Sequence, residues 1–248
     1  MQSETADASG ERTQRTYARL AGFVLLFLII NAFAGGLILP HIAASESFAE
    51  TAKKIAASER LYRVALFSEV LETLSAVLLP FALYVTLKPV NTFLAQMAMI
   101  FSLEDSILAW VVRICAFVRL HLYLSSQTAG AGTIPSQALV DLTRTVGGAA
   151  ESVGGICFGL GTLLFYYLFF KSRYLPRILA ALGLFASVTW TVLYLANLVF
   201  PERHAAFQYI SWPLMGATEI LTGLWLLLFA VKIRGHGTQS APREAIPV

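Results

Sequence analysis

Along the chain, apolar runs of membrane-spanning length alternate with short polar segments. The runs cover about 18–39, 61–87, 92–121, 138–170, 177–200 and 207–231, and about 20 mostly apolar residues let a helix cross the hydrocarbon core. The pattern predicts an all-α fold, a polytopic integral membrane protein built as a six-helix transmembrane bundle with polar tails at 1–17 and 232–248. Ala32-Phe33-Ala34 has the form of a leader cleavage site. The first apolar run is longer than a leader's, however, and it follows a tail containing Glu4, Asp7 and Glu11, so a retained span is expected.

Polar and helix-breaking residues place the connections. Pro40-His41 is expected to end span one, and Ser47-Phe48-Ala49-Glu50 has the form of a capping box, whose Ser and Glu side chains satisfy free amides at a helix start. The short helix that follows carries Phe48, Ala52, Ile55 and Ala56 on one face and Glu50, Lys53 and Lys54 elsewhere. Such a helix lies in the membrane interface; a solvated connector is the alternative. Pro80 is expected to kink span two, because proline removes an internal hydrogen bond and crowds the preceding turn. Ser125 to Ser136, rich in Gly, Ser, Thr and Ala, reads as a flexible loop.

Composition closes off other classes. With 57% hydrophobic and 13% charged residues and a mean hydropathy of +0.68, the chain lies outside soluble-domain averages, and six spans leave no room for a second, soluble domain. The net charge of +3 does not indicate a nucleic-acid partner, because Lys and Arg gather at span ends, where they mark topology. Arg12, Arg15, Arg19, Lys88, Lys171, Arg173, Arg177, Lys232, Arg234 and Arg243 fall on the side of the N-terminus, against Lys53, Lys54, Arg60, Arg63, Arg119 and Arg203 on the other. That excess predicts both termini in the cytoplasm. Cys115 and Cys157 form neither a CxxC nor a metal-ligand spacing and read as small buried hydrophobes.

Against this apolar background stand six acids within the spans: Glu69, Glu72, Glu104, Asp105, Glu151 and Glu219. Arg113 and Arg144 are the basic residues read as opposing them there. An ionisable residue inside a bilayer is a functional-site hypothesis by default. At 1.5 Å per residue the acids of spans two, four and six sit ~20 to 30 Å above the ends bearing Lys88, Lys171 and Lys232, with Glu104 and Asp105 near the centre of span three. Ser68, Glu69, Glu72 and Ser75 form one stripe on span two; Arg144, Gly148, Glu151, Gly155 and Gly159 form one on span four; Gly216, Glu219 and Gly223 form one on span six. The expectation is a polar chamber between spans two, three, four and six, with Arg113 pairing with Asp105 and Arg144 with Glu151. Unpaired carboxylates in a low-dielectric core take up a proton or need a cation or water beside them.

Two functional classes follow. Glu69, Glu72 and Glu219 as proton or cation sites, Glu104 and Asp105 as central polar contacts and Arg113 as an anion contact or counter-ion would serve a proton- or cation-linked carrier of a small solute, or a small-ligand-binding membrane protein. Alternatively the acids, with Ser, Thr and Asn, are interhelical glue in a non-catalytic sensor or accessory subunit that binds a membrane-protein partner. Catalysis is disfavoured, and no cofactor is expected, since no haem-binding histidine pair or phosphate loop occurs at span depth. His41, His121 and His204 fall on one side with Glu46 and Glu202, but interfacial or loop roles are the plainer reading, and no metal site is assigned. Trp110, Trp190 and Trp225 read first as packing or lipid contacts, and the match of Glu69–Leu74 to Glu219–Leu224 as chance similarity between Leu-rich helices.

Several local motifs taken together resemble those of one family. They are Ala18-Arg19-Leu20-Ala21-Gly22, Leu83-Tyr84 with Leu87-Lys88-Pro89-Val90-Asn91, Tyr174-Leu175-Pro176-Arg177, and Glu219 with Leu224-Trp225-Leu226-Leu227. The chain is similar along nearly its whole length to the bacterial six-span proteins termed domain of unknown function 4386. The resemblance implies the six-span fold and the bacterial cytoplasmic membrane, and no activity. Where the family pattern has a basic residue shortly before the span-three acid, this chain has Ser102, so Glu104 is expected to lack a local partner.

Overall fold

A computed structural model describes residues 2–43, 47–128 and 136–231, which are almost wholly helical, with no strand among them. The long helices are α1 (Gln2–Ala43), α3 (Glu59–Leu87), α4 (Thr92–Thr128), α5 (Ser136–Ser172), α6 (Arg177–Val199) and α7 (His204–Phe229), and all six are long and apolar enough to cross a membrane. The short α2 (Phe48–Ala57) lies between α1 and α3. Helix α1 does not stop at Pro40, which falls in its last turn, and it begins within the polar tail among good helix formers such as Glu11 and Arg15, an i,i+4 pair at 4.0 Å. The remainder of the expected Ser125–Ser136 loop beyond α4 and the tail from Lys232 lie outside the described residues.

Each span packs on the next, and α7 closes back onto α1, so α1, α3, α4, α5, α6 and α7 form a ring. Backbones approach most closely where small residues meet, the usual device in a bilayer, where lipid leaves no hydrophobic drive between helices. A Cβ on Gly22 of α1 would stand 2.6 Å from the Leu227 amide nitrogen and 2.7 Å from the Gly223 carbonyl oxygen of α7. That crossing completes the ring. On the outside, Phe23, Ile30 and Phe33 of α1, Phe67, Leu74 and Leu78 of α3 and Phe185, Val188 and Val192 of α6 form exposed apolar stripes that contact lipid.

Apolar clusters fill the two ends differently. At the end where α1 begins, here the proximal end, Ala18, Leu87, Ala95, Phe169, Ala180 and Leu226 bring all six spans into one core. Gln14 reinforces it, donating from Nε2 to the Thr86 carbonyl at 2.6 Å and to the Tyr174 hydroxyl at 2.9 Å. At the distal end a second cluster joins Ile42, Tyr62, Leu120, Tyr123 and Val140 to Ala52 and Ile55 of α2. The capping contact forms as expected, the Glu50 amide donating to Ser47 Oγ at 3.2 Å. Helix α2, however, lays its apolar face on α4 and α1 instead of on lipid, with Phe48 against the Tyr123 ring at 5.3 Å, and Ala56 is exposed.

Pro80 sits buried inside α3 without interrupting it. Its missing amide frees the Ala76 carbonyl one turn earlier, and Ser106 of α4 stands against it, its one hydroxyl proton shared between that oxygen at 3.1 Å and its own helix's Ser102 carbonyl at 2.9 Å.

Candidate functional site

The centre of the ring holds a guanidinium clamp. Arg113 of α4 reaches across to α3, where Nη1 stands 3.0 Å from Glu69 Oε2, Nη2 donates to Glu72 Oε2 at 3.0 Å, and Nε donates to Thr73 Oγ1 at 3.2 Å. Thr73 can accept this bond because its own proton goes to the Glu69 carbonyl at 2.9 Å. All three guanidinium nitrogens are thereby used on one helix face. The side chains keep 16%, 12% and 23% of their surface for Arg113, Glu69 and Glu72, so the triad is largely desolvated. Room for Glu69 comes from Gly35 of α1, where a Cβ would stand 2.8 Å from Glu69 Cγ.

Arg113 makes its direct contacts with Glu69 and Glu72 and reaches Asp105 only electrostatically. Asp105 lies on the other side of α4, against Gly154 of α5, where an added Cβ would stand 3.0 Å from Oδ1. It makes no hydrogen bond or ion pair with any described residue, and the same holds for Glu219 of α7. Both carboxyls are half-buried and within electrostatic reach of each other and of Glu72, and Asp105 is also within electrostatic reach of Arg113. Measured along each helix from the proximal end, Glu219, Asp105, Glu72 and Glu69 stand at about 15, 20, 22 and 27 Å. The four acids form a staircase rather than a single layer.

Glu151 lies farther toward the distal end on α5, where its Oε1 accepts a 3.4 Å bond from Gln208 Nε2 of α7. Tyr194 of α6 is within electrostatic reach of both Glu151 and Asp105 and stacks on Trp190 at 4.9 Å. Trp190 in turn donates from Nε1 to the Gly155 carbonyl at 2.9 Å, so it is a packing residue between α5, α6 and α7. Gly155 and Gly159 serve that contact, since a Cβ on either would overlap Tyr194 or Thr191. A small cleft between α6 and α7, lined by Leu193, Tyr194, Asn197, Phe207, Gln208 and Ser211, opens beside this group.

Two expected site residues lie elsewhere. Arg144 does not pair with Glu151; it is exposed, 3.7 Å from Asp141 and donating to the Tyr123 hydroxyl at 2.9 Å. Helix α5 runs 37 residues, about 55 Å, longer than a core of about 30 Å, so part of it must extend past the core. Glu104 is also exposed, on the outer surface of the ring beside Cys157 Sγ at 3.6 Å. Neighbouring residues on a helix point about 100° apart, so with Asp105 facing inward Glu104 cannot.

Three contributors escaped the sequence reading. Thr73 was signalled by its i+4 spacing from Glu69 on the same stripe. Arg119, placed beforehand with the outer segments, interacts with Tyr62 and Glu69 across the α3–α4 contact. Gln208 had no signal beyond being a polar residue near the start of a span. No group of three or more His, Cys, Asp and Glu among the described residues is arranged to hold a metal ion. The side chains of His41 and His204, and Glu46 entirely, lie outside the described residues.

A family model described as a domain of unknown function, DUF4386, matches residues 20–230. No curated protein and no solved structure matches the chain significantly.

Proposed function

The chain belongs to the family described as domain of unknown function DUF4386, and from that premise we propose a proton- or cation-linked carrier of a small solute. The carrying observation is the unequal use of charge inside the ring. Arg113 engages Glu69 and Glu72 directly, while Asp105 and Glu219 make no hydrogen bond or ion pair with a described residue and stay partly accessible. An unpaired carboxylate in a low-dielectric interior is relieved by a proton or a cation. Asp105 and Glu219 are therefore the loading pair, and the clamp above them is the element whose ion pairs respond when that pair is filled.

The same reading assigns direction. With both termini cytoplasmic in a bacterial cytoplasmic membrane, the six-span apolar cluster is the closed cytoplasmic gate, and the external approach lies toward the distal end. Arg12, Arg15, Arg19, Lys88, Lys171, Arg173 and Arg177 on the proximal side support that orientation.

The test is flux into liposomes carrying the full chain, under an imposed potential, with proton entry read by a trapped pH-sensitive dye and the entry of Na⁺, K⁺ and ethylammonium, offered in turn, read by isotope uptake. Flux of protons or one of these cations should exceed that of empty liposomes and fall at least ~10-fold in Asp105→Asn and in Glu219→Gln, as expected when a charge site is lost from the path. Wild-type flux equal to empty liposomes for all four species would end the carrier reading. Flux that survives both substitutions would displace the site.

A further inference from the structure

The cleft between α6 and α7 is walled by Leu193, Tyr194 and Asn197 on one helix and by Phe207, Gln208 and Ser211 on the other, with room for about 10 Å³. That is space for one water-sized centre. Counted from Val199 and His204, these residues stand ~3 to ~10 Å from the distal ends of their helices. The cleft lies on the distal side of the ring, away from the six-span apolar core.

Its polar atoms are unevenly satisfied. Asn197 Nδ2 donates to Ser152 Oγ at 3.5 Å, and Ser152 gives its own proton to the Gly148 carbonyl at 2.9 Å, so only the nitrogen end of the amide can face it. Asn197 Oδ1 is thereby turned away from Ser152. It is buried without a hydrogen-bond partner, the one side-chain oxygen or nitrogen left so among the described residues. Gln208 Nε2 donates to Glu151 Oε1 at 3.4 Å and Ser211 Oγ to the Phe207 carbonyl at 3.0 Å, so these donors are committed elsewhere. What the walls offer is chiefly lone pairs. Glu151 behind Gln208 is half-buried, its partner is that neutral amide, and no cation among the described residues pairs with it. A buried acceptor without a donor and a carboxylate without a cation are each costly.

We propose that the α6–α7 cleft binds an ammonium group, either the free ion or the head of a primary amine. One nitrogen matches the room available, and it carries only donors. Asn197 Oδ1 and Ser211 Oγ accept from it, Glu151 supplies the opposing charge from behind Gln208, and the Tyr194 and Phe207 rings in the wall add the attraction of aromatic groups for a cation. A neutral water would satisfy Oδ1 and leave Glu151 unbalanced. A bare alkali ion needs a ring of oxygens to replace its hydration shell, more than these walls hold. Binding here requires no transport, so the site is independent of the carrier reading.

The test titrates the full chain in phosphatidylcholine liposomes with ammonium, ethylammonium, tetramethylammonium, K⁺ or Na⁺ chloride at fixed ionic strength. Tryptophan fluorescence reports, since Trp190 stacks on Tyr194 at 4.9 Å. A saturable change is expected with ammonium or ethylammonium, and none with K⁺, Na⁺ or tetramethylammonium, which has the charge but no N–H. Asn197→Leu and Glu151→Gln should each weaken the response at least ~10-fold, as when a charge-assisted hydrogen bond or its charge is lost. Arg144→Gln, exposed on the same helix as Glu151, should not. Leucine leaves no buried acceptor unpaired, so Asn197→Leu should melt at or above the wild-type temperature, which separates lost binding from unfolding. A response to ammonium alone marks a free ion, one to both amines an amine head, and one masked by adding phosphatidylethanolamine that lipid's head group; each supports the site. No saturable response to either amine, an equal response to tetramethylammonium or K⁺, or a response that survives Asn197→Leu overturns it.

Discussion

Replacing Arg113 with methionine tests the clamp directly. Methionine fills comparable volume, so little cavity is created, and the loss is chiefly electrostatic. Three contacts go at once: two charged ones at 3.0 Å to Glu69 and Glu72 and one at 3.2 Å to Thr73. The carboxylates keep only 12% and 23% of their surface, so water restores little of what the guanidinium supplied. Removing one partner of a desolvated ion pair costs about 3–5 kcal/mol, mostly through the charge left behind. For a chain of this size that is a fall in melting temperature on the order of 10 °C in thermal unfolding in detergent. Arg113→Lys should recover part of the loss, since an ammonium lacks the planar fork that serves both carboxylates. Adding Glu69→Gln and Glu72→Gln to Arg113→Met removes the orphaned charges and should restore at least about half of the lost stability. The reasoning fails if Arg113→Met lies within about 1 kcal/mol of wild type, or if the triple variant is no more stable than the single one.

Other features predict smaller and separable effects. Ser106→Ala should cost about 1 kcal/mol by weakening the cover on the Ala76 carbonyl, and the cost should shrink in a Pro80→Ala background, where the backbone amide returns; equal losses in both backgrounds would refute the pairing. Gly22→Val should destabilise by about 1–3 kcal/mol through overlap with the α7 backbone, whereas Gly36→Ala, which faces open space, should be nearly silent in the same melt. Gln14→Leu should cost about 1–2 kcal/mol, read as earlier proteolysis of the proximal end, because two acceptors from α3 and the α5–α6 turn lose their donor. Arg144→Gln should shift stability by less than about 0.5 kcal/mol and leave any flux intact, since its ion pair is exposed.

Much of the fold was legible in the chain itself. Six runs of hydropathy became six candidate spans, and the Ser47–Glu50 signature became a helix start. The two glutamates of α3 did share one inward stripe, because spacing along a single helix is a local property. The pairings failed wherever the answer depended on a second helix. Arg144 and Glu151 are seven residues apart on one face, but only the packed structure showed that the first turns to Asp141 and Tyr123 and the second to Gln208. Glu104 and Asp105 are adjacent, and hydropathy gave no reason to prefer either as the inward one.

The amino-acid sequence by itself determined that this is a membrane protein of six spans with carboxyls among them. That is so because each helix satisfies its backbone hydrogen bonds internally, so crossing a bilayer depends only on what a run of residues exposes. The tertiary structure alone decided which carboxyls share Arg113, which two are left without a partner and which one turns to lipid. Those outcomes follow from the rotation of each helix in the ring, which many small contacts such as Gly22 on Gly223 and Gly154 on Asp105 set together.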